Sequence, residues 1–305
     1  MGTVMDETTS VASIVETLER DGVVVLPEFA SGAWLAGMQR AFRQQLARRR
    51  WNTFDGYRQT ELFRHMVEDV LMLDQGFVDL AVHPIVGGVA REYVGPDVQL
   101  REAKGWLSVP TRRDFHGWHG DAWYDQSVVT DRIPREIKAA MYLTDVRSGA
   151  FAYVKGSHRQ IAPRMIKRDE VGAKVKGEIL ECFGKAGSLV LFDTSGVHRQ
   201  NMPILEPRWA TFFNYHSPNV PLQREDVDGY RYHPLLLNAA FLGGLDDAGR
   251  ALLGFGDKTH YQPDYERPDQ FTVLQAITDA LLLAQLRIAD LPVLIKGVAR
   301  QFIKR

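Results

Sequence analysis

The middle of the chain predicts a mainly β protein, an antiparallel sandwich or barrel with flanking helices. Three observations carry that expectation. Between Val98 and Pro218, short β-branched and aromatic runs, several alternating apolar with polar, are separated by Gly, Pro, Asp and Ser. On either side of this region apolar residues return at helical spacing. No internal repeat or low-complexity segment interrupts the pattern. The simplest organisation is one domain over 1–305, with a helical N-terminal part (1–97), a β core (98–218) and a helical C-terminal extension (219–305).

Each element has its own signal. In "TSVASIVETLE", Val11, Ile14, Val15 and Leu18 fall on one helical face behind capping candidates Thr8 to Ser10. "DGVVVLPEF" reads as a turn and a short buried strand ending at Pro27. A helix follows from Ser31 to Arg49, with Leu35, Met38, Phe42 and Leu46 together. A second helical region, Thr60 to Val94, breaks at His83-Pro84, and Gly95-Pro96-Asp97 is a turn. The predicted strands are "VQLREAKGWLSV", "IKAAMYLTDV", "AFAYVKGS", "GEILECF", "GSLVLFD" and "RWATFFNYHS". After Pro218 a loop-rich stretch precedes a helical pattern from Phe271 to Ile288 and another beyond Pro292.

Charge narrows the partners. Lys and Arg total 37 against 38 for Asp and Glu, a formal net charge of -1, so no concentrated positive face for nucleic acid is expected. "RRR" at 48–50 reads as a polar helix end. Lys296, Arg300, Lys304 and Arg305 on the last apolar helix leave three roles open: packing, a dimer interface, or a membrane-surface or partner helix. The one cysteine, Cys182, excludes an intrachain disulfide and reads as a small buried hydrophobe. Neither a signal peptide nor a membrane-spanning run is evident. The expectation is a cytoplasmic, reduced protein, monomer or homodimer, with no integral membrane segment.

The chemistry concentrates in "FHGWHGDAWYD", Phe115 to Asp125. On an extended segment residues i and i+2 point the same way, so His119 and Asp121 can reach one ion, and Gly120 leaves room for close approach. A third ligand must come from elsewhere. His198 ends "GSLVLFDTSGVHR", a strand and a Ser-Gly turn, and Arg208 opens the next strand. Two histidines and one carboxylate on one face form the ligand set of non-haem Fe(II) oxygenases, which leaves three positions for substrate and O2. A nearby arginine suits a dicarboxylate co-substrate, because guanidinium binds carboxylate through two parallel hydrogen bonds.

These motifs resemble the phytanoyl-CoA dioxygenase family of Fe(II)/2-oxoglutarate-dependent oxygenases, across residues 12 to 216. The resemblance rests on "LERDGVVVLPEF", "YVGPDVQL", "WHGDAW", "AAMYLTDVRSGAFAYVKGSHR" and "KAGSLVLFDTSGVHRQNMPILEPRWATFF". Lys155 stands in "YVKGSHR" where the family usually has proline. The resemblance implies a double-stranded β-helix (jelly roll, cupin-like) core over 98–218. It also implies Fe(II) on His119, Asp121 and His198, 2-oxoglutarate held through its C5 carboxylate by Arg208, and O2 as oxidant. A small-molecule metabolite would be hydroxylated with release of succinate and CO2. Desaturation, epoxidation and ring formation use the same ligands. Asp121 argues against halogenation, since halogenating relatives have Gly or Ala there. Gln200 and Ala210 occupy positions where relatives often carry hydroxyl residues, which puts the remaining co-substrate contacts in doubt.

Other residues stay open at this stage. Lys104, or Arg101 on the same run, offers a further co-substrate contact. If Arg208 points inward, Phe212 and Asn214 share its face and line the cavity. Trp123 is either substrate wall or packing, and Trp118 and Tyr124 lean to packing. Arg199 either meets an anionic substrate or forms a surface ion pair. His116 reads as a loop residue, His158 as part of a structural turn and His216 as a rim residue. The rivals are a non-catalytic cupin-like binding protein, disfavoured by the intact triad and Arg208, and a hydrolytic Zn2+ site, for which a 2-oxoglutarate clamp has no use.

Overall fold

Ser10 opens the chain's first helix, α1 (Val11–Asp21), its side chain accepting the Ser13 backbone N–H at 3.1 Å. The computed structural model describes residues 10–47, 64–67, 70–114, 117–222, 235 and 237–255, and positions 277, 280, 281, 284 and 288. By its contacts the chain divides into two units, Met1–Asp257 and Lys258–Arg305. In the second, the five described positions are helical and exposed. The rest of the 271–288 pattern, the basic C-terminal residues, "RRR" and His116 lie outside the described residues.

In the first unit, α1 is followed by β1 (Val23–Leu26), α2 (Gly32–Ala47), β2 (Arg64–Val67), α3 (Gln75–Ala81) and α4 (Pro84–Tyr93). The break at His83-Pro84 is the start of α4, with Pro84 in the first turn, where its missing N–H is harmless. The N-terminal part is not wholly helical. Arg64–Val67 form a strand on the open edge of β3, pairing from Arg64↔Ser108 to Val67↔Gly105. The edge offers backbone partners that outweigh a weak helical preference, and the Arg64 guanidinium lies 3.6 Å over the Trp106 ring.

The core comprises β3 (Gln99–Ser108), β4 (Glu136–Tyr142), β5 (Val146–Val154), β6 (Ile179–Gly184), β7 (Leu189–Asp193), β8 (His198–Gln200) and β9 (Arg208–His216). Six strands form one antiparallel sheet in the order β1-β7-β4-β9-β3-β2, and three form a second, β6-β5-β8. The two sheets make the jelly roll. A short helix, α5 (Asp247–Leu252), follows.

Period-two alternation sorts each strand between two cores. On β4 and β9, Ile137, Ala139, Met141, Phe213 and Tyr215 face outward and pack with Leu18, Met38, Phe42, Phe77 and Val89 of the helices. The intervening Ala140, Tyr142 and Ala210 face the interior, where they meet Val190 and Phe192 of β7 and Ala150 and Tyr153 of β5. The helices thus close one face of the larger sheet, and the other faces the smaller sheet. Among the described residues no helix is long and apolar enough to cross a membrane.

Candidate metal centre

The centre is built on the turn between β7 and β8. Asp193, buried at the end of β7, accepts the Ser195 backbone N–H at 2.9 Å and the Tyr93 hydroxyl at 2.7 Å. Its carbonyl accepts the Tyr153 hydroxyl at 2.9 Å, and Ser157 Oγ accepts the Val197 N–H at 2.7 Å. Helix, sheet and neighbouring turn therefore fix the chain just before His198. Beyond the Ser-Gly turn, His198 opens the short strand β8 in the smaller sheet.

"WHGDAW" lies alongside as an extended segment. His119 N–H donates to the His198 carbonyl at 3.0 Å, and His198 N–H returns the bond at 2.8 Å. Asp121 N–H donates to the Thr194 carbonyl at 2.8 Å. These bonds dock the segment in a register that sends both side chains towards His198. One donor atom from each of His119, Asp121 and His198 lies within 4.8 Å of the others, and all three residues are buried.

The hydrogen bonds set which nitrogens face the cluster. His119 Nδ1 lies 2.8 Å from the Gly117 carbonyl, and His198 Nδ1 lies 2.8 Å from that of Gly196. A carbonyl can only accept, so each Nδ1 carries the hydrogen and, in the neutral ring, each Nε2 keeps its lone pair for a metal. Asp121 Oδ1 lies 3.6 Å from His119 Nε2, and Oδ2 lies 3.9 Å from His198 Nε2. Burial, then the charge of His119, pulls the His198 pKa down to about 3, so the imidazole is neutral at ordinary pH. Phe151, Phe192 and Tyr153 surround its ring, with centroids 5.5, 5.3 and 6.3 Å away. Two imidazoles that each turn Nε2 towards the cluster, with a carboxylate beside them, fit a divalent first-row metal.

Arg208 is the second feature that fits the expected chemistry. It is buried on β9 and donates to the Gly149 carbonyl, and no carboxylate among the described residues pairs with it. Burial lowers its pKa, and a buried guanidinium is stabilised by an anion. That is the setting a dicarboxylate would complete. Gly149 adopts a φ of +55°, and a Cβ there would meet Ile204 Cγ1 at 2.7 Å and the Asn201 carbonyl at 2.9 Å. The acceptor of Arg208 therefore sits where only glycine fits.

Phe212 and Asn214 share the interior face of β9 with Arg208, as alternation predicts. Asn214 Nδ2 donates to Glu102 Oε2 at 2.8 Å. Lys104 is opposite Phe212 and ion-pairs with Glu102, its ammonium 5.8 Å from the Trp106 ring. Trp123 is buried and stacks on His216, with centroids 4.0 Å apart. His216 is thereby a buried residue, not a rim residue, and burial holds its pKa down at about 4. Arg199 is placed elsewhere. It follows His198 on β8, opposite Ala152, and its guanidinium lies 5.3 Å over Trp118 and 3.3 Å from Asp114. Successive strand residues point to opposite faces, so Arg199 faces away from the His198 side. Cys182 is buried, which pushes its thiol up to about 12 and leaves it unreactive.

One polar neighbour of the triad escaped the sequence. Lys138 Nζ donates to Asp121 Oδ2 at 2.8 Å from the interior face of β4. The available signal was a lysine inside "EIKAAMY", in phase with Glu136, Ala140 and Tyr142, of which the last two point into the sandwich.

A jelly roll with two imidazoles and a carboxylate at one point, and a buried arginine on a neighbouring strand, has the frame of an iron(II)/2-oxoglutarate oxygenase. The chain belongs to the phytanoyl-CoA dioxygenase family, whose profile matches residues 18–200. It is an Fe(II)/2-oxoglutarate-dependent dioxygenase acting on a small molecule. It is 28% identical over 240 residues to the ectoine dioxygenase of Bordetella parapertussis, covering 68% of this chain and 75% of the relative. It is 25% identical over 238 residues to that of Halomonas elongata, covering 67% and 69%. Among solved structures, EctD of S. alaskensis with 2-oxoglutarate and 5-hydroxyectoine superposes with a TM-score of 0.57 at 22% identity, covering 77% of this chain and 89% of that one. The epimerase SnoN with Fe3+, alpha ketoglutarate and nogalamycin RO gives 0.54 at 18%, covering 75% and 96%. These neighbours share the fold.

Proposed function

We propose that His119, Asp121 and His198 bind the iron, that Arg208 binds the far carboxylate of 2-oxoglutarate, and that the enzyme hydroxylates an unactivated C–H bond of a small metabolite. The observation that carries this reading is the convergence of the three donor atoms within 4.8 Å. Iron(II) with 2-oxoglutarate and O2 would supply the oxidising power, one oxygen atom going to the substrate and the other to succinate as CO2 leaves.

The chain's own residues do the rest. The Gly117 and Gly196 carbonyls orient both imidazoles, and the aromatic wall of Phe151, Tyr153 and Phe192 keeps water from His198. Arg208 supplies a fixed positive charge at the depth where a carboxylate can form two parallel hydrogen bonds. Phe212, Asn214 and the Glu102–Lys104 pair share the interior face and are positioned to shape the substrate or co-substrate pocket, with Trp123 packed behind them on His216. Ectoine is the first compound to test, because the curated relatives are ectoine dioxygenases. The near-neutral charge favours an enzyme without a nucleic-acid partner, the ectoine dioxygenase relatives favour small-molecule, secondary metabolism, and the single cysteine suits the cytoplasm. Monomer or homodimer is the expected state.

Anaerobic titration with Fe(II) and 2-oxoglutarate tests the site. A weak visible charge-transfer band is expected with the wild type and not with His119→Ala. No band in the wild type, or the same band in the variant, would sink the proposal.

A further inference from the structure

We infer that Lys138 is a positioning residue that restricts Asp121 to one metal-binding oxygen; this rests on the metal site proposed above. Lys138 Nζ lies 2.8 Å from Asp121 Oδ2, with both side chains buried to about nine-tenths. The other oxygen, Oδ1, is the one nearer His119, 3.6 Å from its Nε2.

The lysine is held in place by the sheet. On β4 it pairs with Phe192 of β7 on one side and Asn214 of β9 on the other. Its ammonium lies 5.8 Å from the centre of the Phe192 ring, and the same ring stands 5.3 Å from His198. Phe192 therefore braces both the histidine and the lysine that governs the carboxylate. Asp121 is fixed from its backbone as well, through the bond to the Thr194 carbonyl.

The chemical consequence concerns open positions. A carboxylate can bind a metal through one oxygen or two. With two histidines and one carboxylate oxygen, a six-coordinate iron keeps three positions for a chelating co-substrate and O2. A carboxylate free to supply both oxygens would occupy one of them. An ammonium hydrogen-bonded to Oδ2 opposes that swing. Its positive charge also repels a cation nearby, so Lys138 trades metal affinity for a more open site.

That trade separates positioning from simple structural support. The test uses the metal-free protein, loaded anaerobically with Co(II), whose visible d–d bands report coordination number, and then titrated with 2-oxoglutarate. Lys138→Met is expected to bind Co(II) at least as tightly as the wild type, to show an altered spectrum before any 2-oxoglutarate is added, and to lose on the order of 10-fold in 2-oxoglutarate affinity. Lys138→Arg should restore the wild-type spectrum and affinity. If the methionine variant does not fold, Lys138→Gln is expected to give a smaller change of the same kind.

A wild-type spectrum in folded Lys138→Met or Lys138→Gln overturns the inference, even if 2-oxoglutarate binds less well, because Lys138 would then act on the co-substrate itself. Weakened Co(II) binding also overturns it. If His119→Ala leaves the wild-type Co(II) spectrum unchanged, the metal site itself is wrong and both proposals fall. If His119→Ala abolishes it while Lys138→Met matches the wild type, only the role of Lys138 fails.

Discussion

His119 and His198 exchange both backbone hydrogen bonds, at 3.0 and 2.8 Å, and their rings lie 4.4 Å apart by centroid. The two ligands are thus two positions of one antiparallel contact, although four strands, β4 to β7, separate them along the chain. Backbone pairing sets the distance between their side chains before any metal arrives.

The same docking explains Gly120. A Cβ there would stand 2.4 Å from the Ser195 carbonyl oxygen and 3.2 Å from Pro163 Cα, both backbone atoms that cannot rotate away. Gly120→Ala is expected to push the metal segment off the turn, costing about 1–3 kcal/mol of stability as overpacking does. Thermal melts and Co(II) titration of the same preparation would check it. A variant with wild-type Tm and wild-type Co(II) affinity would show that the contact tolerates a methyl group.

Metal removal should leave the fold intact but less stable. The helix-facing and interior cores are built without the triad, so the metal-free chain keeps its packing. Metal bound only by the native state stabilises it by mass action, by about 2.7 kcal/mol at 100 times Kd. Melts with EDTA, with added Co(II), and with His198→Ala should show a Tm increase of several degrees that the variant lacks. Equal Tm values with and without metal would remove these residues from metal binding.

Much of this was readable from the sequence because the information is local. His119-Gly120-Asp121 predicts two side chains on one face, and β9 predicts Arg208, Phe212 and Asn214 on one face. Both depend only on the period of extended chain. What was missed depends on partners distant in sequence. Arg64–Val67 is a strand because β3 has an open edge, and a composition suited to helix does not reveal that edge. Lys138 matters because β4 lies between β7 and β9 opposite the metal segment, a relation that only the sheet order shows. Arg199 was open between an anionic substrate and a surface ion pair, and only the fold, which turns it away from His198 and towards Asp114, favours the second.

Arg199→Ala should therefore spare the chemistry. Its guanidinium packs over Trp118 and approaches the half-exposed Asp114, a pairing of the kind worth up to about 1 kcal/mol. The expected result is a small drop in Tm, with the apparent affinity for 2-oxoglutarate and the Co(II) spectrum unchanged. A rise in the KM of the organic substrate alone would return Arg199 to the substrate pocket.

Arg208 should behave in the opposite way. It is buried and has no carboxylate partner among the described residues, so the anion it lacks is the one we assign to 2-oxoglutarate. Hydrogen bonds to charged groups contribute about 1.5–3 kcal/mol, which corresponds to roughly 10- to 150-fold in affinity. Arg208→Ala is expected to raise the 2-oxoglutarate KM by that factor and to leave Co(II) binding alone, because the metal ligands sit on other segments. Arg208→Lys should recover only part of the loss, since an ammonium cannot form the two parallel bonds of a guanidinium. Steady-state kinetics with varied 2-oxoglutarate, together with Co(II) titration, separates the two sites. An unchanged KM in Arg208→Ala would take the carboxylate away from this arginine, and a loss of Co(II) binding would mean that the residue supports the fold of the metal centre instead.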